Sequence, residues 1–154
     1  MELVNRWTVG TPLGPKHAKA GAPDTYPFGL QTSVMLRDVD YVLRKLDWMR
    51  AEGIWPNGLR YLWTDAFGVV LYVSLYKELG EERWLGEAER LVAEVERVLG
   101  RPRGLRIGEA ADRDGPYFHY LAMWLFALAR LGDLKPRYRA RGVELARDIH
   151  PAAA

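Results

Sequence analysis

The chain has 154 residues, enough for one domain of ordinary size and too few for two large ones. Hydrophobic residues make up 49% and charged residues 27%, which excludes wholesale disorder, and the lack of cysteine excludes disulfides and thiolate metal sites. A net charge of +2, from 22 basic and 20 acidic residues, is too even for a general nucleic-acid or membrane binder.

Residues 1–32 are rich in Gly, Pro and Thr and read as an irregular N-terminal arm. Met1–Gly10 has no continuous apolar run, so no secretory leader is expected. The uncharged stretches Ala66–Tyr76 and Pro116–Ala129 are shorter than the roughly 20 residues of a membrane-spanning helix. A cytoplasmic protein is the expectation.

Residues 33–150 read as a helical-hairpin domain. A first helix starts at Ser33 or Asp38, with Val39, Val42, Leu43, Leu46 and Met49 at three- and four-residue spacing, and ends at Gly53. A connector follows, carrying the turn signal Pro56-Asn57-Gly58. A second helix is expected from Thr64, as N-cap, to Leu79, with Asp65 at the positive end of its dipole and Gly80 as a left-handed C-cap. Ala66–Tyr76 carries no charge, which predicts burial on all sides.

The third helix, Glu81–Leu99, is amphipathic: Trp84, Leu85, Ala88, Leu91, Val92 and Val95 form one stripe and charged residues fill the rest. A charged loop leads to a fourth helix, Pro116–Leu131, again apolar almost all round. The fifth opens on Pro136, a favoured first helical position, and stops at His150-Pro151. The order buried, amphipathic, buried, amphipathic repeats. Gly80 and Gly132 lie 52 residues apart, and Trp84 and Tyr138, which open the two amphipathic stripes, lie 54 apart. Such a period points to stacked helical hairpins, in a solenoid or a closed toroid. An ordinary bundle with two buried central helices is the alternative.

Tyr61-Leu62-Trp63-Thr64-Asp65-Ala66-Phe67-Gly68, followed by Leu75–Gly80 and Trp84-Leu85 with Ala88, resembles one hairpin of the six-hairpin glycosidase-like (α/α)6 toroids. Asp114-Gly115-Pro116-Tyr117-Phe118-His119-Tyr120, with Trp124 and Ala127-Leu128, resembles the next inner helix. The resemblance covers about residues 55–150. It implies an all-α fold of antiparallel helical hairpins, a partial (α/α) toroid, with a carbohydrate-handling cleft ringed by inner helices. It also implies acid–base carboxylates at inner-helix starts. Asp65 matches such a position, although Ala66 follows where some relatives have a second Asp. A full toroid needs six hairpins, on the order of 300 residues. This chain supplies two, as a fragment, as one of several assembling copies, or as a shortened relative with another role.

Each candidate has a chemical and a plain reading. Asp65 is either an acid–base group, its pKa raised by Trp63 and Phe67, or a first-turn carboxylate. Glu109, Asp112 and Asp114 precede the fourth helix, at the end of the molecule where Asp65 is expected. One of them could complete a glycosidase pair, or all three belong to a solvated turn. A calcium site there does not match EF-hand spacing. Tyr61, Trp63, Tyr117, Tyr120 and Trp124 could stack on sugar rings, with His119 as a proton shuttle or hydroxyl ligand, or all could simply pack. The arginines of Arg101–Arg113 could bind a phosphate or anionic sugar, or stay in solvent.

Histidine spacing gives no metal set, and with no G-x-S-x-G, Walker A or G-x-G-x-x-G pattern neither acyl transfer nor nucleotide binding is expected. No cofactor is expected. The possible functions are a carbohydrate-active glycosidase-like unit, a non-catalytic assembly or scaffold domain, and a saccharide binder without turnover. Self-association is expected through the apolar flanks of residues 66–76 and 117–129.

Overall fold

The computed structural model describes residues 28–150, apart from Asn57, Asp114 and Pro116. Among the described residues the fold is all-α, with five helices: α1 (Phe28–Ala51), α2 (Leu62–Leu79), α3 (Glu82–Leu99), α4 (Phe118–Gly132) and α5 (Pro136–Ile149). A 3-10 turn, Ala111–Arg113, precedes α4.

α1 begins at Phe28, inside the segment read as an irregular arm. Leu30, Gln31, Met35, Leu36 and Arg37 are good helix formers and no proline interrupts them. α2 begins at Leu62, so Tyr61 and not Thr64 is its N-cap. Thr64 turns its hydroxyl back to donate to the Tyr61 carbonyl at 2.9 Å. Gly80 ends α2 at φ 69°, as expected, with its N–H on the Tyr76 carbonyl.

α2 pairs with α3, α2 with α4, and α4 with α5. The first residues of α2 and α4 meet, so the two start at the same end of the molecule. They form a front layer. α3 and α5 lie behind them, tied together by Glu89–Arg137 at 2.7 Å and Glu96–Arg141 at 2.8 Å. Between the layers lies the core, built on Leu62, Val69, Val73, Val92, Val95, Trp124 and Leu128. At Gly132 an added Cβ would lie 2.7 Å from the Arg139 backbone nitrogen, so glycine lets the α4/α5 hairpin close.

Burial on all sides is not what α2 and α4 achieve. Phe67 on α2 is exposed, as are Phe118, Ala122, Phe126 and Ala129 on α4. Each helix has neighbours behind it and on one side, and the other side stays open. α1 lies along the open side of α2, leaving a groove of about 680 Å³ lined by residues including Leu46, Met49, Phe67 and Leu71. Nothing among the described residues covers the open side of α4.

Candidate functional site

The start of α2 holds a buried charged knot. Asp65 is 0% exposed and Arg60, in the preceding connector, is 4% exposed. Their Oδ1 and guanidinium nitrogen are 3.3 Å apart. The same oxygen accepts the Trp55 indole N–H at 2.9 Å, and Oδ2 accepts the Tyr61 backbone N–H at 3.3 Å. Arg60 also donates to the carbonyls of Pro56 and Gly58. Burial pushes the Asp65 carboxyl above its ordinary value, against the Trp55 hydrogen bond, the Arg60 charge and the Tyr61 N–H, which all pull it down. The upward push thus comes from burial, and the aromatic residue that touches this carboxylate is Trp55, through its indole N–H, rather than the expected Trp63 or Phe67.

The loop before α4 docks on this knot. Glu109 accepts the Arg60 backbone N–H and returns its own N–H to the Arg60 carbonyl at 3.1 Å. Leu62 donates to the Ile107 carbonyl at 2.9 Å, and Tyr61 and Gly108 form a bridge. Asp65 and Glu109 thus gather around one arginine, and Glu109 adds a small upward push to the Asp65 pKa. Asp112 is exposed on the 3-10 turn. Asp114 lies outside the described residues. The 101–113 arginines divide: Arg101 and Arg103 are exposed, Arg106 donates to the Val98 carbonyl, and Arg113 stacks 4.4 Å from the centre of the Tyr61 ring.

Most of the sequence-predicted aromatics converge beside the knot. The hydroxyls of Tyr61 and Tyr120 are 2.6 Å apart. Trp63 meets Tyr120 edge-on at 5.4 Å and His119 at 6.1 Å. Tyr117 lies 6.1 Å from His119 and 6.2 Å from Tyr120. Tyr117 and His119 are exposed, and Trp63, Tyr61 and Tyr120 are half-buried. The result is an open aromatic surface at the shared starting end of α2 and α4, rimmed by Arg113. Trp124 stands apart. It is 0% exposed in the core, with no partner for its indole N–H among the described residues, so it presents no face to a ligand.

The roles of three residues of this region escaped the sequence reading. Trp55 and Arg60 sit in a connector whose pattern signals only a turn. Gly68 carried a usable signal, because a glycine inside an apolar helix often has a packing reason. Here a Cβ would fall 2.7 Å from Cη2 of Trp55 and closer still to Cζ2. Asp65 and Gly68, one turn apart, hold the same indole, one by its N–H and the other by making room for its ring.

No group of three or more metal-ligating side chains occurs among the described residues. No described helix is long and apolar enough to cross a membrane. Comparison of the chain with family models, with characterised proteins and with solved structures finds no match.

Proposed function

We propose that the chain is a saccharide-binding helical-hairpin unit, related to the six-hairpin glycosidase-like toroids, and that its ligand lies on the aromatic surface formed by Tyr61, Trp63, Tyr117, His119 and Tyr120. The carrying observation is the meeting of these rings at the common start of the two front helices, with Tyr117 and His119 open to solvent. Flat apolar faces beside hydroxyl and imidazole tips suit the C–H faces and hydroxyls of a sugar ring. The ion-paired state of Asp65 favours binding over hydrolysis. A general acid must reach the leaving oxygen, and this carboxylate is spent on Arg60, Trp55 and Tyr61.

The test is calorimetric titration with a panel of neutral and charged oligosaccharides, followed by tryptophan fluorescence. At least one saccharide should saturate the protein, and Trp63→Ala or Tyr117→Ala should weaken it about tenfold, the equivalent of about 1.4 kcal/mol. Absence of heat and of spectral change across the panel up to millimolar sugar would overturn the proposal. The second reading, a non-catalytic assembly domain, is favoured by a different observation, the uncovered apolar side of α4.

A further inference from the structure

We infer that the groove between α1 and α2 is the binding site of a small amphipathic acid, a free single-chain carboxylate of medium length, with its chain along the groove and its head at Lys45. This goes beyond the saccharide reading and does not rest on it. The groove measures about 680 Å³, inside the roughly 300–1,000 Å³ of small-molecule sites. Four large apolar side chains that the fold leaves at least half exposed, Tyr41, Ile54, Leu59 and Phe67, stand around it. Exposed apolar surface gathered in one concavity marks a binding site, whereas the same residues scattered singly would mark nothing. The α1 wall from Tyr41 to Met49 runs about 12 Å at the 1.5 Å rise of a helix. Over that length a partner helix, about 10–12 Å across, would occupy roughly 1,000 Å³ and enter only in part, while one alkyl chain is taken up whole.

Charge selects the head group. Among the described residues Lys45 is the one charged side chain that lines the groove, and it is exposed. Its ammonium lies 5.6 Å from the centre of the Tyr41 ring and 5.3 Å from that of Trp48. The positions three and four residues away on α1 are Tyr41, Val42, Trp48 and Met49, so its own helix offers it no carboxylate. No described residue forms an ion pair with it. By contrast, Arg90, Arg97, Arg137 and Arg141 on α3 and α5 each meet a carboxylate. The groove has little else for a polar ligand. The Thr64 hydroxyl is spent on the Tyr61 carbonyl, and the Trp55 indole N–H on Asp65. A sugar here would leave most of its hydroxyls without partners, and a cation would meet Lys45 as a like charge. One positive charge beside an apolar wall suits one negative charge on an apolar chain.

Calorimetric titration of the full chain with decanoate, below its micelle concentration, tests the inference. Binding should saturate at one decanoate per chain. Affinity should rise about fourfold for each added methylene from hexanoate to decanoate, as apolar burial requires. Decylamine should bind at least about threefold more weakly than decanoate, and Lys45→Glu, at an exposed position, should reverse that order. Position is read from the methyl NMR signals of the three isoleucines: Ile54 should move, and Ile107 and Ile149 should not. Trp63 borders both the groove and the aromatic surface, so it is left unchanged. No saturable binding, whether the chain is then monomeric or self-associated, would overturn the inference. So would equal affinity for decanoate and decylamine, or shifts at Ile107 and Ile149 as large as at Ile54. Should Lys45→Glu fail to fold, the parent's ligand order and the Ile54 signal decide.

Discussion

Replacing Asp65 with alanine is the sharpest probe of the knot at the start of α2. The change removes the counter-charge of an arginine that is 4% exposed and strands the Trp55 indole N–H and the Tyr61 backbone N–H. Each stranded donor alone costs about 1–3 kcal/mol when buried, but such losses within one network do not add. Removing one partner of a buried ion pair runs at about 3–5 kcal/mol, and we expect Asp65→Ala to fall in that range. For a protein whose total stability lies at about 5–15 kcal/mol, that is a large fraction. Urea unfolding at pH 7, followed by tryptophan fluorescence, measures it. Adding Arg60→Met to Asp65→Ala should recover at least about 1 kcal/mol, because the uncompensated charge disappears with the guanidinium. A loss of only about 0.3–1 kcal/mol would refute the reasoning and reduce Asp65 to a first-turn charge acting on the helix dipole.

Three further outcomes are expected. Asp65 is held above its ordinary value of 3.8, so folding favours its protonated form. Its contribution is then fully present below that value and is lost as pH rises through the elevated folded one, so the stability gap between the parent and Asp65→Ala should narrow from pH 3.5 to 7; a gap that widens would mean the Arg60 attraction outweighs burial. Gly68→Ala drives a methyl group into the Trp55 ring and should cost about 1–3 kcal/mol in chemical denaturation, with a changed near-ultraviolet dichroism signal from the displaced indole. Gly80→Ala must hold φ 69° with a side chain and should cost about 1–2 kcal/mol, with no change in that spectrum.

What could be read in advance divides along physical lines. The hairpins were legible because apolar spacing, Gly80 and Pro136 act within one or two helical turns, and the described helices end close to where those signals stand. The gathering of Tyr61, Trp63, Tyr117 and Tyr120 was legible as well, since two front helices of one repeat period must start together. Trp124 could not be separated from that group, because its placement in the core depends on the rotational setting of α4 against α2 and α5. The start of α2 was misplaced for a related reason. Tyr61 has no capping side chain, and the helix is opened by bonds to residues far along the chain, such as Leu62 to Ile107. The Arg60–Asp65 pair was likewise invisible: an aspartate in a first turn looks the same in sequence whether it faces water or a buried guanidinium.

The way α1 is attached has its own consequence. From Asp38 to its end, this helix commits only Leu46 to full burial, whereas α2 and α3 each commit seven or more residues. Opening α1 therefore exposes far less apolar surface than separating the two hairpins. Its backbone amides should exchange with deuterium through a local opening, well below the free energy of global unfolding, while those of α2 and α3 wait for the whole domain to open. The molecule is then a two-tier structure, in which a stable pair of hairpins carries a helix that can lift and reseat on its own.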